Sequence, residues 1–379
     1  MELDRRINLV TFYIFQSLVL GAALLVIARK NATVDIFSGL FIAVWTISVI
    51  AIKFIYQSEQ SMFYSNDQQL QLEMYERLIT NGLGFSPQQF IADRYLIIIP
   101  VRFFTIFGFE PILATKFLQA VCLLLLYRLC VNFLERNEFR VRLIHAVFFT
   151  GPLFIFISTL GLRDLEIALA STYFLLGKNL YLKQLSLLVL IPLRPHLAAA
   201  LMFGWLVIKL INFLKIKRNY FTLSIAVIGA FALGGFTYVY GRNFQFGNAI
   251  VSPAIFNQNA WWRFFSNLAG LQFLSFDQQT RNLSIRNLLM LRLIFVDSFL
   301  IPICFVITLL AQKLELSRLR LQLFISFAFF LGLASQTDFN STRQNLPFLS
   351  TMGVLALLGL LPRSTQDSTN SRAEVANLS

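Results

Sequence analysis

The feature that most constrains this chain is a series of long apolar runs, most of them separated by short turns rich in lysine and arginine. A helix needs about 20 apolar residues to cross the roughly 30 Å of hydrocarbon in a bilayer. Candidate spans lie near 8–28, 35–55, 112–134, 143–161, 165–182, 184–193, 197–214, 220–240, 290–311, 320–335 and 345–362. The sequence therefore predicts an all-α, polytopic membrane protein with about eleven transmembrane helices.

Composition excludes the other broad classes of protein. Hydrophobic residues make up 57% of the 379 residues and charged residues 13%, whereas a soluble domain is about 45–50% apolar and about 25% charged. Too little polar surface remains to cover a soluble enzyme, and a disordered chain would be far less apolar. The net charge of +13 is assigned to cytoplasmic loops that orient the helices rather than to a nucleic-acid site.

The distribution of the basic turns predicts an orientation. All of the basic turns lie in the cytoplasm if the N-terminus is external, the C-terminus is cytoplasmic and one further apolar segment does not cross. These turns are at 29–30, 136–142, 178–183, 215–218 and 313–320. That arrangement follows the positive-inside rule.

The segment that must not cross is 95–111, which carries Pro100, Arg102 and Gly108 within a short stretch. We expect it to form a re-entrant or interfacial helix. If it crossed instead, the N-terminal part would be inverted, and Arg5 and Arg6 would then be cytoplasmic.

The predicted spans and loops also give the domain organisation. Residues 1–362 form a single transmembrane domain with external loops at about 56–111 and 241–289, and residues 363–379 form a disordered cytoplasmic tail.

The three cysteines, Cys122, Cys130 and Cys304, lie inside apolar runs without a C-x-x-C pair. Disulfides and thiolate-bound zinc are therefore not expected. The sequence also lacks the phosphate-binding loop, the dinucleotide-binding glycines, the H-E-x-x-H motif and the G-x-S-x-G motif. Nothing in it predicts a nucleotide-driven motor, a zinc protease or a serine hydrolase.

Charged residues at the external ends of the predicted spans need a reason other than orientation. Arg163, Asp164 and Glu166 begin one span, and Arg194 and His196 lie between two others. Arginines on this face run against the positive-inside rule, and their planar, permanently charged groups suit an anion such as a pyrophosphate. His196 is a candidate proton acceptor.

Each of these residues also has a purely structural interpretation. Arg163 could pair with Glu166 one helical turn away, and Arg194 could extend to the lipid headgroups. Arg343 could pair with Asp338, and Asp67 could be a solvated acid in a polar loop. The sequence leaves both interpretations open for each residue.

The order of these features resembles a known group of enzymes. An external loop containing YSNDQQLQLEMYERL is followed by FTIFGFEPILATKFLQ, LGLRDLEIALASTYFLLGK, LIPLRPHLAAALMFG and FNSTRQNLPFLS. This pattern resembles the bacterial polysaccharide or O-antigen polymerases of the Wzy and EpsG type and, more distantly, the GT-C-like membrane glycosyltransferases.

The resemblance implies a glycosyltransferase at the external face of the bacterial inner membrane. It would polymerise oligosaccharide repeat units carried on undecaprenyl pyrophosphate into O-antigen, capsule or exopolysaccharide, in contact with membrane lipid. A chain-length regulator and a flippase would be partners, and nucleic acid would not. By position, Arg163, Arg194 and Arg343 would bind the pyrophosphate. His196 would be the general base, with Asp164 and Asp67 as the next candidates, and no metal or other cofactor would be needed.

Two alternatives remain at this point. A GT-C-like enzyme would take a polyprenyl-phosphate sugar and use an acid of the first external loop, here Asp67, with a divalent metal. A transporter or flippase for the lipid-linked sugar would carry ionisable residues inside its spans and show matching halves, but the sequence shows no such repeat and its charges lie at one membrane edge.

Overall fold

All secondary structure in the described part of the chain is helical, as the sequence predicts. The computed structural model describes residues 2–30, 36–55, 66–81, 95–136, 152–161, 163–216, 220–241, 303, 306, 318–335 and 347–355. The helices are α1 (Glu2–Lys30), α2 (Ile36–Ile55), α3 (Asn66–Asn81), α4 (Tyr95–Ile106), α5 (Pro111–Arg136), α6 (Pro152–Leu160), α7 (Asp164–Leu176), α8 (Leu180–Leu193), α9 (Pro195–Phe213), α10 (Tyr220–Gly241), α11 (Arg318–Ser335) and α12 (347–355). The predicted tail 363–379 and nearly all of the predicted loop 241–289 lie outside the described residues.

Three of these helices are long and apolar enough to cross a membrane. They contribute the segments Thr11–Ala28, Pro111–Arg136 and Pro195–Phe213. Large apolar side chains such as Phe15 and Phe221 are exposed on the outside of the bundle, where lipid rather than water would be a favourable neighbour. These features indicate a membrane protein, and the larger number of spans stays a prediction.

The boundary between α7 and α8 lies earlier than the predicted spans 165–182 and 184–193 place it. Helix α7 ends at Leu176, and α8 begins at Leu180. The reason is local, because the side-chain oxygen of Asn179 accepts hydrogen bonds from two backbone N–H groups in the first turn of α8, at 2.9 and 3.4 Å. Asparagine is a favoured N-cap residue, so the new helix begins directly after it, inside the predicted span 165–182.

Helix α4 corresponds to the segment predicted not to cross. Its 12 residues rise about 18 Å along the helix axis. The chain then turns at Gly108, whose φ of 83° favours glycine. Gln16 of α1 holds this turn, since its Nε2 donates to the Gly108 carbonyl at 2.6 Å and its Oε1 accepts from the Glu110 N–H at 3.2 Å.

Helices α10 and α11 pack most closely in the described bundle. A Cβ added at Gly234 would meet the carbonyl oxygen of Phe329, and one added at Gly332 would meet the carbonyl oxygen of Phe231. Such backbone contact between small residues is typical of helix pairs in membranes, where van der Waals packing replaces the hydrophobic effect as the driving force.

Helix α9 runs antiparallel to α11 and brings its N-terminus to the far end of that helix. His196 lies against Phe330, whereas Gly204, two turns further along α9, lies against Ser326, one turn earlier in α11. The junction before α9 therefore lies near the C-terminal half of α11.

Candidate functional site

Arg194 is the single residue that separates α8 from α9. Its N–H donates to the Leu190 carbonyl at 2.7 Å and completes α8, and its carbonyl accepts from the N–H groups of Leu197 and Ala198 at 3.0 and 3.1 Å to begin α9. The following Pro195 disfavours helical geometry at Arg194 and is itself favourable at the first position of a helix. The Arg-Pro sequence therefore breaks the helix and places a guanidinium at the break.

The start of α7 lies against α5. Gly161 has a φ of 68°, and a Cβ there would lie 2.6 Å from Thr115 Oγ1 and 3.2 Å from the backbone nitrogen of Lys116. Only glycine permits both the turn and this close approach. The turn leads into Arg163, the N-cap residue, and Asp164, the first residue of α7.

The structure brings Arg194 and Asp164 together. Arg194 Nη2 donates to Asp164 Oδ1 at 3.4 Å, and the two side chains are only 8% and 3% exposed. A buried charge is tolerated when it is paired, and this pair joins the α8–α9 junction to the first residue of α7. Two groups that the sequence predicted separately thus form one site.

Gln119 of α5 completes the N-terminus of α7. Its Oε1 accepts from the Leu165 N–H at 3.0 Å, and its Nε2 donates to Glu166 Oε1 at 2.9 Å. The Arg163 side chain makes no capping hydrogen bond, so the amide from α5 satisfies a backbone donor that would otherwise be free. The hydrogen-bond partner of Glu166 is therefore Gln119 rather than Arg163, although the charge of Arg163 still acts on Glu166.

His196, the second residue of α9, lies beside the ion pair. Its ring stacks on Phe330 with 5.9 Å between centroids and 21° between planes. The positive charges of Arg194 and Arg163 both act on it. Four residues predicted from sequence as site residues, Arg163, Asp164, Arg194 and His196, are thus gathered where α7 and α9 begin.

The other two predicted site residues, Asp67 and Arg343, have no described side chain. Asp67 is the second residue of α3, and its side chain lies outside what the structure describes. Helix α3 itself packs on α4, where the Tyr75 hydroxyl and Thr105 Oγ1 are 2.5 Å apart. Arg343 lies outside the described residues, so the third arginine of the predicted pyrophosphate site has no observed position.

Sequence reasoning missed Gln119, which is 1% exposed and makes two hydrogen bonds in the site. The sequence did indicate its importance, because an amide within an apolar span rarely lacks a partner or a function. Lys116, one turn earlier in α5 and 5% exposed, carries the same signal.

The cluster combines hydrogen-bond donors with potential proton acceptors. It contains two guanidinium groups, two carboxylates, an imidazole and a carboxamide within a largely buried setting. Among the residues that the structure describes, no three His, Cys, Asp or Glu side chains are close enough together to hold a metal ion. No family model, curated protein or solved structure matches the chain.

Proposed function

We propose that this chain is a membrane-embedded polysaccharide polymerase, a glycosyltransferase that joins oligosaccharide repeat units carried on polyprenyl pyrophosphate. The observation that carries the proposal is the gathering of Arg163, Asp164, Arg194 and His196 at the starts of two helices in an apolar bundle. The reaction would take place at the external face of the bacterial inner membrane and would build O-antigen, capsule or exopolysaccharide.

Two arginines suit the departing pyrophosphate. Guanidinium groups bind phosphate oxygens through charge-assisted, often bidentate hydrogen bonds, and a donor fixed in advance stabilises charge as it develops on the leaving group. Asp164 fixes Arg194 in this way. Arg163 is only half-buried, so it is the more accessible of the two to a phosphate. Arg343 is proposed as the third ligand.

The membrane setting suits the proposed substrate. Its long polyprenyl chain must remain in hydrocarbon while its sugar reacts at the membrane edge, and a site at the ends of apolar helices meets both needs. Holding donor and acceptor chains together turns an encounter of two bulky substrates into a positioned reaction. A flippase that delivers repeat units and a chain-length regulator are proposed as partners.

The acceptor hydroxyl must lose a proton as it attacks. From the sequence, His196, which lies within the cluster, is the first candidate to receive it, and Asp164 and Asp67 are the next. The Asp164 carboxylate is already engaged by Arg194, which favours an orienting role for that residue.

Deletion of the gene tests this function, with the surface glycans then separated by electrophoresis. A polymerase mutant is expected to retain glycan of a single repeat unit and to lose the ladder of longer chains. Complementation with the wild type should restore the ladder, and Arg163→Ala should not. Arg136→Ala removes an exposed arginine at the other end of α5 and should complement fully. Loss of all glycan would instead indicate an earlier transferase or a flippase and would refute the proposal.

A further inference from the structure

We infer that Glu166, held by Gln119, is the group that takes the proton from the attacking sugar hydroxyl. This inference rests on the proposed polymerase function and names a residue that the sequence had not assigned to the reaction. It follows from the contacts that Asp164 and His196 already make and from the hydrogen bond that Gln119 donates to one oxygen of Glu166.

The geometry of Glu166 is that of a positioned base. It is the third residue of α7 and is half-buried. Its Oε1 accepts a hydrogen bond from Gln119 Nε2 at 2.9 Å, and in the described part of the chain that is its one hydrogen bond. A carboxylate has about four acceptor positions on its two oxygens, so Oε2 retains the capacity to receive a hydroxyl proton.

The other candidate bases in the cluster, Asp164 and His196, already contact charged or aromatic groups. Asp164 accepts from the guanidinium of Arg194 inside the protein. His196 lies flat on Phe330 and next to two arginine charges. Glu166 is near enough to Arg163 and Asp164 for their charges to act on it, so it belongs to the same site, yet its hydrogen bond comes from a neutral amide.

The proposed step balances without a further reagent. The acceptor sugar's O–H bond breaks, and its proton moves to Glu166 Oε2. The oxygen forms a bond to the anomeric carbon of the donor sugar. The bond from that carbon to the pyrophosphate oxygen breaks, and its electron pair leaves with the polyprenyl pyrophosphate. Glu166 then returns the proton to water, which completes the cycle.

Gln119 is a positioning residue in this account. Its two hydrogen bonds fix the N-terminus of α7 and the Glu166 carboxylate together. Gln119→Leu removes both bonds and should lower the rate through loss of orientation. Gln119→Glu keeps an acceptor for the Leu165 N–H but places a second carboxylate against Glu166, so it should shift the pH dependence of the rate, which a purely structural change would not do.

The test uses purified full-length protein and the lipid-linked repeat unit that accumulates in the deletion strain. We expect Glu166→Gln to bind this substrate but to extend it at least about 100-fold more slowly, as general-base catalysis contributes that much or more. Glu135→Gln, an exposed carboxylate on α5, is the matched control and should keep the wild-type rate. Added formate should partly restore Glu166→Ala, because a small carboxylate can replace a missing base but cannot repair a fold.

Two results would overturn the inference, namely the wild-type rate in Glu166→Gln, or no rescue by formate of a folded Glu166→Ala. If these variants do not fold, the wild type itself can be treated with dicyclohexylcarbodiimide, which modifies carboxyl groups in apolar surroundings. Inactivation should then coincide with modification of the peptide containing Glu166, and substrate should protect it; inactivation without that modification contradicts the role. Failure of wild-type protein to extend the substrate would refute the proposed function itself and is a separate outcome.

Discussion

Arg194 and Asp164 form a buried ion pair that connects two helix starts separated by 30 residues in sequence. One partner is the residue at which the chain breaks between α8 and α9, and the other is the first residue of α7. The pair therefore fixes the relative positions of three helices at the point where His196 and Glu166 also lie. Its removal should affect both the fold and the proposed reaction.

Breaking this pair should be costly. Arg194→Ala removes the guanidinium that contacts the buried Asp164 carboxylate and should lower the free energy of unfolding by about 3–5 kcal/mol. The control is Arg77→Ala on α3, because Arg77 and Glu73 are 3.8 Å apart but 57% and 47% exposed, and an exposed pair contributes less than about 1 kcal/mol. Thermal unfolding in detergent measures both, and equal effects would contradict the buried role. The double variant Arg194→Ala with Asp164→Asn should recover part of the loss.

The contact between α10 and α11 predicts that two glycines of one helix respond in opposite ways. Gly234→Ala inserts a methyl group against the Phe329 carbonyl, so the helices must separate, at a cost of about 1–3 kcal/mol. A Cβ at Gly229 meets nothing within 4 Å, so Gly229→Ala should be neutral or slightly stabilising, since alanine favours helix. The midpoint of thermal unfolding in detergent distinguishes the two. A similar change in both variants would show that the helices do not pack in this way.

The orientation predicted from the basic turns can be tested with single cysteines in a protein whose own cysteines have been replaced. Lys178→Cys and Lys215→Cys lie in exposed turns and should react with a membrane-impermeant reagent only from the cytoplasmic side, as the positive-inside rule requires. Thr80→Cys, exposed near the end of α3, should react from outside. Labelling of Lys215→Cys from outside would reverse the topology and remove the proposed site from the external face.

The fold class was accessible from sequence because long apolar runs admit little besides helices. The break at Arg194 was equally accessible, since proline restricts the residue before it. The end of α7 was predicted too late, at 182, because the apolar run continues past the point where Gly177 leaves helical geometry and Asn179 caps the next helix. An apolar run indicates that a helix lies in apolar surroundings, whereas a single side chain can decide where that helix ends.

The site was predicted in part for similar reasons. The alternation of spans assigned four site residues to one membrane face, namely Arg163, Asp164, Arg194 and His196. In the described structure Arg194 contacts Asp164, and the charges of Arg163 and Arg194 act on His196. The pairing of Arg194 with Asp164 and the link from Gln119 to Glu166 could not be predicted, because both depend on how α5, α7 and α9 pack. Tertiary neighbours, rather than neighbours in sequence, select those partners. The pyrophosphate, base and metal assignments stay predictions.

Metal removal separates the polymerase proposal from the GT-C-like alternative. Two arginines can hold a pyrophosphate without a cation, so chain extension by purified protein should be unchanged in a chelator such as EDTA. An enzyme that uses Asp67 with a divalent metal should lose its activity and regain it when magnesium or manganese is added. The comparison of Asp67→Asn with wild type, each with and without chelator, serves as the control. Metal-dependent activity lost in Asp67→Asn would favour the alternative.

This protein itself is proposed to lengthen a lipid-linked glycan. Wild-type protein in liposomes should be given the single-repeat lipid-linked substrate purified from the deletion strain, and products should be measured by mass spectrometry. We predict chains of increasing repeat number, with one polyprenyl pyrophosphate released for each new glycosidic bond. Folded wild-type protein that binds this substrate but releases no polyprenyl pyrophosphate and forms no longer chain would contradict the claim.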